Sequence, residues 1–371
     1  MLIAADRIWL DGALQEGLAV ETDGQTVTAI RRSADITPDR AVSLLMPGCT
    51  DLQVNGGGGV LLNARPTPAG IHAIAAAHRR LGTVSIMPTL ITDAPEVMEA
   101  AAEAVTQVMA AQDGIAIAGI HLEGPHITPP RRGTHDARFI RPLDGRTMAV
   151  LERLRAADVP VILTLAPELA DPALLRRAAG MGVILSAGHS AATAAEARAA
   201  IDSGVTMFTH LYNAMPQMSS REPGMIAAAI LSDAWCGLIT DGIHVSPEML
   251  RIAMAARPRP DRSFIVSDAM PTVGGPDHFS LYGMDIRVKD GALVNPEGSL
   301  AGAHIDMVGS LRKLIEMTGI APERAIAMAS DAPRQAAGVA PLAVQPGTRL
   351  DDLIVLNEAY ELEGSLDALV A

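Results

Sequence analysis

The sequence predicts an α/β fold, a (β/α)8 barrel with a small β-domain formed by both termini. Three observations predict it. Beyond Pro47-Gly48, compact apolar runs alternate with Ala-rich helical segments as far as Asp268. Eight such runs end on polar or ionisable residues, and the two flanking segments read instead as short strands.

In chain order, residues 1–48 hold the apolar runs Ile8 to Leu10, Leu18 to Val20, Val27 to Ile30 and Ala41 to Met46, separated by Asp-Gly and other polar breaks. The eight barrel-strand candidates are Asp51 to Asn55, Val84 to Thr89, Ile115 to Glu123, Val161 to Glu168, Val183 to His189, Thr206 to His210, Leu238 to Asp241 and Phe264 to Asp268. Pro95 to Ala111, Pro172 to Ala179, Ala192 to Ile201 and Pro247 to Ala256 read as helices, three of them with a proline suited to the first turn. In such a barrel the carboxyl ends of the strands form the active face, so the polar endings converge there. Phe279 to Asn295 returns to strands as a late hairpin insertion turning at Asp290-Gly291, and Asp306 to Met317 restores a helix. Leu353 to Leu356 is a last strand. Residues 1–48 and 336–371 are each too short for a core of their own and are expected to pack together, leaving 49–335 as the catalytic barrel.

Composition narrows the function classes. Hydrophobic residues make up 49% and charged residues 19% of 371, so the chain can build a core and is not a disordered one. The formal net charge of −13 argues against nucleic acid or anionic membrane as partners, and an anionic ligand must be gripped locally. Cys49 and Cys236 show no CxxC spacing, which fits a reducing cytoplasm and no thiolate metal site. The first residues lack the basic-then-apolar pattern of a signal segment, so a cytoplasmic protein is expected.

Glu123, His189 and His210 end the third, fifth and sixth candidate strands. One oxygen and two nitrogens suit a borderline metal such as zinc, although any one of these histidines, taken alone, also reads as a hydrogen-bonded structural residue. Asp268 ends the eighth strand. It can be a structural carboxylate satisfied by backbone N–H groups or, in a barrel closed between its first and last strands, a base that takes a proton from attacking water. The glycine run Gly56 to Gly59 lacks the Lys-Ser/Thr of a nucleotide loop and is expected to turn the chain tightly beside the pocket.

Ordered blocks along nearly the whole chain carry a resemblance: Pro47-Gly48 with Asp51-Leu52-Gln53-Val54-Asn55-Gly56, then Pro88-Thr89-Leu90, His121-Leu122-Glu123-Gly124-Pro125, Gly133-Thr134-His135, Gly188-His189-Ser190, Thr209-His210-Leu211-Tyr212-Asn213-Ala214-Met215, Asp241-Gly242-Ile243-His244, Ser267-Asp268-Ala269 and Leu300-Ala301-Gly302. With these the sequence resembles the N-acetylglucosamine-6-phosphate deacetylase family of the amidohydrolase superfamily, whose fold is a TIM-like barrel. The resemblance implies Glu123, His189 and His210 as metal ligands, Asp268 as catalytic acid/base and His135 as the group facing the scissile amide oxygen. It implies Asn213 and Ala214, through backbone N–H groups offered to the phosphate, and Arg221 and His244 as substrate-binding residues, and a homodimer that shares part of the pocket. Gln53-Val54-Asn55 stands where many amidohydrolases have His-x-His. Amides are poor zinc ligands, so one divalent metal per subunit, zinc, is favoured over two. His126 and His304 stay outside the catalytic set.

The expected reaction is hydrolysis of N-acetylglucosamine 6-phosphate to glucosamine 6-phosphate and acetate. Its galactosamine epimer is the nearest alternative. A cyclic-amide hydrolase and a non-catalytic binding protein on the same fold are more distant, the latter requiring a disrupted site that this sequence does not show.

Overall fold

The computed structural model describes residues 1–35, 37–111, 116–296 and 298–370. Eight parallel strands form the barrel: β1 (Cys49–Val54), β2 (Thr83–Ile91), β3 (Ile120–Glu123), β4 (Val161–Leu165), β5 (Ile184–Ala187), β6 (Val205–Phe208), β7 (Trp235–Leu238) and β8 (Ser263–Ile265). They pair in sequence order from β1 to β8. The seam back to β1 is a single parallel bridge, Val54 to Ala269, reinforced by the Asn55 and Gly56 N–H groups donating to the Ala269 carbonyl at 2.9 and 3.0 Å.

The fourth, fifth, sixth and eighth strands end at Leu165, Ala187, Phe208 and Ile265, short of the polar residues expected to close them, and two others shift further. The third candidate divides into β3 and a short Ala116–Ile117 piece beside β2, and Ile115 lies outside the described residues. The seventh runs over Trp235–Leu238 rather than Leu238 to Asp241. The reason is local: Asp241 Oδ1 accepts the N–H groups of Ile243 and His244, both at 2.8 Å, and so turns the chain there.

Helices wrap the barrel: α1 (Pro68–Arg79), α2 (Pro95–Ala111), α3 (Gly145–Ala156), α4 (Pro172–Gly180), α5 (Ala194–Asp202), α6 (Gly224–Ile230), α7 (Pro247–Ala256) and α8 (Met307–Thr318). Their starts are written locally. Thr193 and Glu196 form a reciprocal capping box on α5, and Ser246 followed by Pro247 starts α7. Helices α1, α3 and α6 have no counterpart in the sequence reading, since alanine and glycine blur their periodicity. α9 (Pro322–Ala329) and α10 (Asp331–Ala337) follow, with α10 against β1 and β8, where Arg334 Nη1 donates to Thr50 Oγ1 at 3.1 Å.

A seven-stranded sheet joins both chain ends, in the order Leu362–Ser365, Leu353–Leu356, Arg40–Pro47, Leu2–Leu10, Leu18–Thr22 and Val27–Arg32, with Ala13–Gln15 beside Leu2–Leu10. The strand Leu353–Leu356 shows why it cannot stand apart. Leu353 and Val355 enter the core of this sheet, whereas Ile354 and Leu356 enter the core between barrel and helices. The two-residue period of a strand thus knits two cores together.

The late insertion is larger than a hairpin: His278–Leu281, Met284–Lys289, Ala292–Val294 and Leu300–Ala303 form a four-stranded antiparallel sheet. Its expected turn is present, with Asp290 and Gly291 at φ 51° and 80° between the paired Lys289 and Ala292.

Trp9, 3% exposed, donates from Nε1 to Asp331 Oδ2 at 2.9 Å and so ties the terminal sheet to α10. Trp9→Phe is expected to cost about 1–3 kcal/mol in a denaturant titration by leaving that carboxylate short of a donor, with the metal content of the folded protein unchanged.

Candidate active site

The carboxyl ends of the strands converge as expected. A cavity of about 250 Å³ is lined there by Asn55, Glu123, Thr134, His135, His189, His210, Asn213, Ala214, His244 and Asp268, with Ile91, Met270 and Leu300 as its apolar wall.

Glu123 ends β3, and His189 and His210 stand two residues beyond β5 and β6. Glu123 Oε1 lies 3.1 Å from His189 Nε2 and 3.0 Å from His210 Nε2, and the two Nε2 atoms are 3.0 Å apart. His189 Nδ1 lies 2.9 Å from the Arg131 carbonyl, which can only accept, so Nδ1 holds a proton and Nε2 turns its lone pair inward. The His189 lone pair, the Glu123 carboxylate and His210 Nε2 therefore meet at close range, an arrangement that a cation resolves. Burial works to raise the Glu123 carboxyl, but the two imidazoles beside it hold it well below the ordinary range. The donor set fits one divalent metal.

Gln53 on β1 and Asn55 just beyond its end occupy the place of a second metal-binding pair. Gln53 Nε2 lies 3.1 Å from each Glu123 oxygen and 3.1 Å from Asp268 Oδ1, and Asn55 Nδ2 donates to the same Asp268 oxygen at 2.7 Å. Neutral amide donors thus sit between the two carboxylates. Burial and the neighbouring Glu123 charge push the Asp268 carboxyl up to about 6, which leaves it ionised at neutral pH and close enough to neutrality to exchange protons.

His135 is buried beside the triad, its ring centroid 4.4 Å from that of His189. The Thr92 N–H points to His135 Nδ1 at 3.3 Å, and Thr92 Oγ1 lies 2.7 Å from the same atom. An N–H can only donate, so Nδ1 accepts and the neutral ring carries its proton on Nε2. Burial pushes the His135 imidazole well below its usual value and keeps it neutral. Thr92 had no place in the sequence reading; its signal was its position just past the polar end of the second strand.

The other expected contacts divide. His244 lines the cavity with Nδ1 2.6 Å from Asp241 Oδ2, which fixes its ring. The Asn213 N–H is taken by the His210 carbonyl at 2.9 Å, so it is not available to a ligand as expected, while the Ala214 N–H has no partner among the described residues. Arg221 is exposed on the loop before α6 and does not line the cavity. His126 braces its loop, with Nδ1 3.0 Å from the Arg141 carbonyl and Nε2 3.0 Å from Thr147 Oγ1.

The sequence profile of the Amidohydrolase family matches residues 44–356. An N-acetylgalactosamine-6-phosphate deacetylase from Shewanella sp. (strain ANA-3) is 36% identical over 346 residues, 90% of this chain and 86% of that protein. The chain is a member of the N-acetylhexosamine-6-phosphate deacetylases of the amidohydrolase family. An N-acetylglucosamine-6-phosphate deacetylase from Haemophilus influenzae is 30% identical over 94% of this chain and 93% of its own length. The crystal structure of the Pasteurella multocida N-acetylglucosamine-6-phosphate deacetylase superposes with a TM-score of 0.89 at 28% identity, over 99% and 98% of the two chains. An Asp-to-Ala mutant of the Mycobacterium smegmatis enzyme, in complex with N-acetyl-D-glucosamine-6-phosphate, superposes with a TM-score of 0.88 at 30% identity, over 98% and 96%.

Elemental analysis of the purified protein is expected to find about one equivalent of divalent metal, because amides rather than imidazoles fill the second position. His189→Ala should lose most of it; two equivalents, both needed for activity, would contradict the arrangement.

Proposed function

We propose that this protein hydrolyses N-acetylglucosamine 6-phosphate to glucosamine 6-phosphate and acetate, in the cytoplasm. The observation that carries the reading is a single cavity in which the Glu123–His189–His210 triad, Asp268 and His135 face one another. The solved N-acetylglucosamine-6-phosphate deacetylases that superpose on nearly the whole chain support the substrate class.

We assign zinc to the triad, on the match of its nitrogen and carboxylate donors to a borderline ion. Bound there, it supplies Lewis-acid stabilisation of negative charge and eases the ionisation of water. Asp268 takes a proton from the water that attacks the acetyl carbon. His135 donates its Nε2–H to the acetyl oxygen as that atom gains charge. Asp268 then returns its proton to the sugar nitrogen as the carbon–nitrogen bond breaks, and acetate and the amine leave. Asn213 through its side chain, Ala214 through its free N–H and His244 hold the sugar phosphate. Arg221, exposed and off the cavity wall, completes the phosphate end across a homodimer. Residues 49–335 are assigned as the catalytic unit, and 1–48 with 336–371 as its support. Among the described residues no helix is long and apolar enough to cross a membrane.

A second reading takes the galactosamine epimer as substrate, favoured by the 36% identity to the Shewanella protein. Acetate release from the two N-acetylhexosamine 6-phosphates, in parallel on metal-loaded protein, decides between them. The expected result is a higher kcat/KM for the glucosamine compound, and no release from either would refute both readings.

Asp268→Asn keeps the size of the side chain while removing the proton acceptor. Turnover is expected to fall by roughly two to four orders of magnitude with metal content and substrate affinity retained, as read by acetate release, elemental analysis and calorimetry. Loss of metal instead would make Asp268 a builder of the site rather than its proton carrier.

A further inference from the structure

Three buried polar atoms on residues that line the cavity, Asn55 Oδ1, Thr134 Oγ1 and His210 Nδ1, have no hydrogen-bond partner among the described residues, and of these Asn55 Oδ1 belongs to the side chain that bonds Asp268. Asn55 is 0% exposed, lines the cavity, and is pinned by its backbone: its N–H donates to the Ala269 carbonyl at 2.9 Å and its carbonyl accepts the Leu62 N–H at 3.0 Å. Its Nδ2 faces Asp268 Oδ1 at 2.7 Å. A carboxylate oxygen accepts, so the amide cannot be turned about, and Oδ1 is fixed on the other side. That Oδ1 is buried with no hydrogen-bond partner among the described residues. An orphaned buried acceptor is costly, and here it belongs to a residue that lines the reaction cavity and bonds Asp268.

We infer that Asn55 Oδ1 accepts a hydrogen bond from the N–H of the scissile acetamide and turns the nitrogen lone pair toward Asp268. The inference rests on the deacetylase reading above. The chemistry asks for such an acceptor. A planar amide nitrogen has its lone pair drawn into the carbonyl; once water has added to the acetyl carbon the nitrogen becomes pyramidal, and only the face presented to Asp268 can receive its proton. The nitrogen keeps one N–H throughout. An acceptor rigidly joined to Asp268 takes that N–H and so leaves the lone pair, at a tetrahedral angle to it, facing the adjacent carboxylate. The same acceptor remains useful after the bond breaks, when the product nitrogen has gained a further hydrogen. Asn55 is thus a substrate-orienting residue, distinct from Gln53, whose amide nitrogen is occupied by Glu123 and Asp268.

An ester separates this role from any general support of Asp268. A hexose 6-phosphate acetylated on the C2 oxygen offers the same acetyl carbon and no N–H. Replacing Asn55 by Ala removes Nδ2 from Asp268 for both substrates but removes a partner of the N–H for the amide alone. On metal-loaded protein, Asn55→Ala is expected to lower the amide-to-ester ratio of kcat/KM by about ten- to a hundredfold, the scale of a buried polar group left unpaired. Asn55→Val, which keeps bulk and carries no polar atom, serves for the same comparison if Asn55→Ala does not fold. Equal losses on amide and ester would overturn the inference, because Asn55 would then act through Asp268 or through a sugar hydroxyl common to both. If the unaltered protein releases acetate from neither substrate, the deacetylase reading fails and this inference with it.

Discussion

The site depends on how the barrel is closed. Among the described residues one backbone bridge joins β1 to the chain just beyond β8, at Ala269, and the seam is completed by a side chain: the buried Asp51 carboxylate accepts the Ser267 N–H at 3.3 Å and the Ser267 hydroxyl, with the Gln53 N–H at 3.1 Å on the same group. Burial pushes Asp51 up to about 7, so a carboxyl here is expensive unless these donors satisfy it. Its position brings Gln53 and Asn55 from the first strand against Asp268 from beyond the eighth. Glu123, Gln53, Asn55 and Asp268 can form one array only because this seam is held.

A second constraint acts at the strand ends. His189, His210 and Asp268 have φ of 47°, 30° and 52°, a left-handed conformation that is unfavourable for residues other than glycine. Each kink breaks the alternation of its strand and turns a side chain over the mouth of the barrel. The surroundings enforce it. Beside His189, a Cβ on Gly188 would come within 2.9 Å of both Thr164 and Thr209, so the approach to the ligand requires glycine. Beneath the triad, His121, Thr164, Thr209 and Ser186 are linked by contacts of 2.7, 2.6 and 2.6 Å, a polar layer that fixes three neighbouring strands. The strain concentrates where ligands must be aimed, and the layer beneath holds it.

Much of this was legible in the sequence, for identifiable reasons. Apolar runs ending in Glu123, His189, His210 and Asp268 gave both a parallel barrel and its active face, because a period change and a polar terminus are local signals. Other features required the fold. Helix α3, with Gly145 at its start, carries a mixed pattern that periodicity does not separate from loop. The turn at Asp241 moved β7 because a side-chain hydrogen bond, invisible in composition, ended the strand early. Thr92 fixes the tautomer of His135 across 43 positions of chain, and no spacing rule reaches so far. The amides at Gln53 and Asn55 were visible as an absence of histidine; that they serve as donors to two carboxylates emerges only when β1, β3 and β8 are set side by side.

That last arrangement bears on the proposed role of Asp268 as a base. Had imidazoles stood at positions 53 and 55, a second cation beside Asp268 would compete for its oxygens and draw its proton affinity down. Amide nitrogens satisfy one oxygen of Asp268 without a full charge, while Glu123 close by raises its affinity for a proton. The two carboxylates are thereby pushed apart in character. On the proposed mechanism Glu123, set between the two histidines, stays ionised as a ligand, and Asp268, bonded to amides and facing a like charge, is the group that gains and loses a proton. On that proposal, one metal and two amides accomplish a division of labour that two metals would blur.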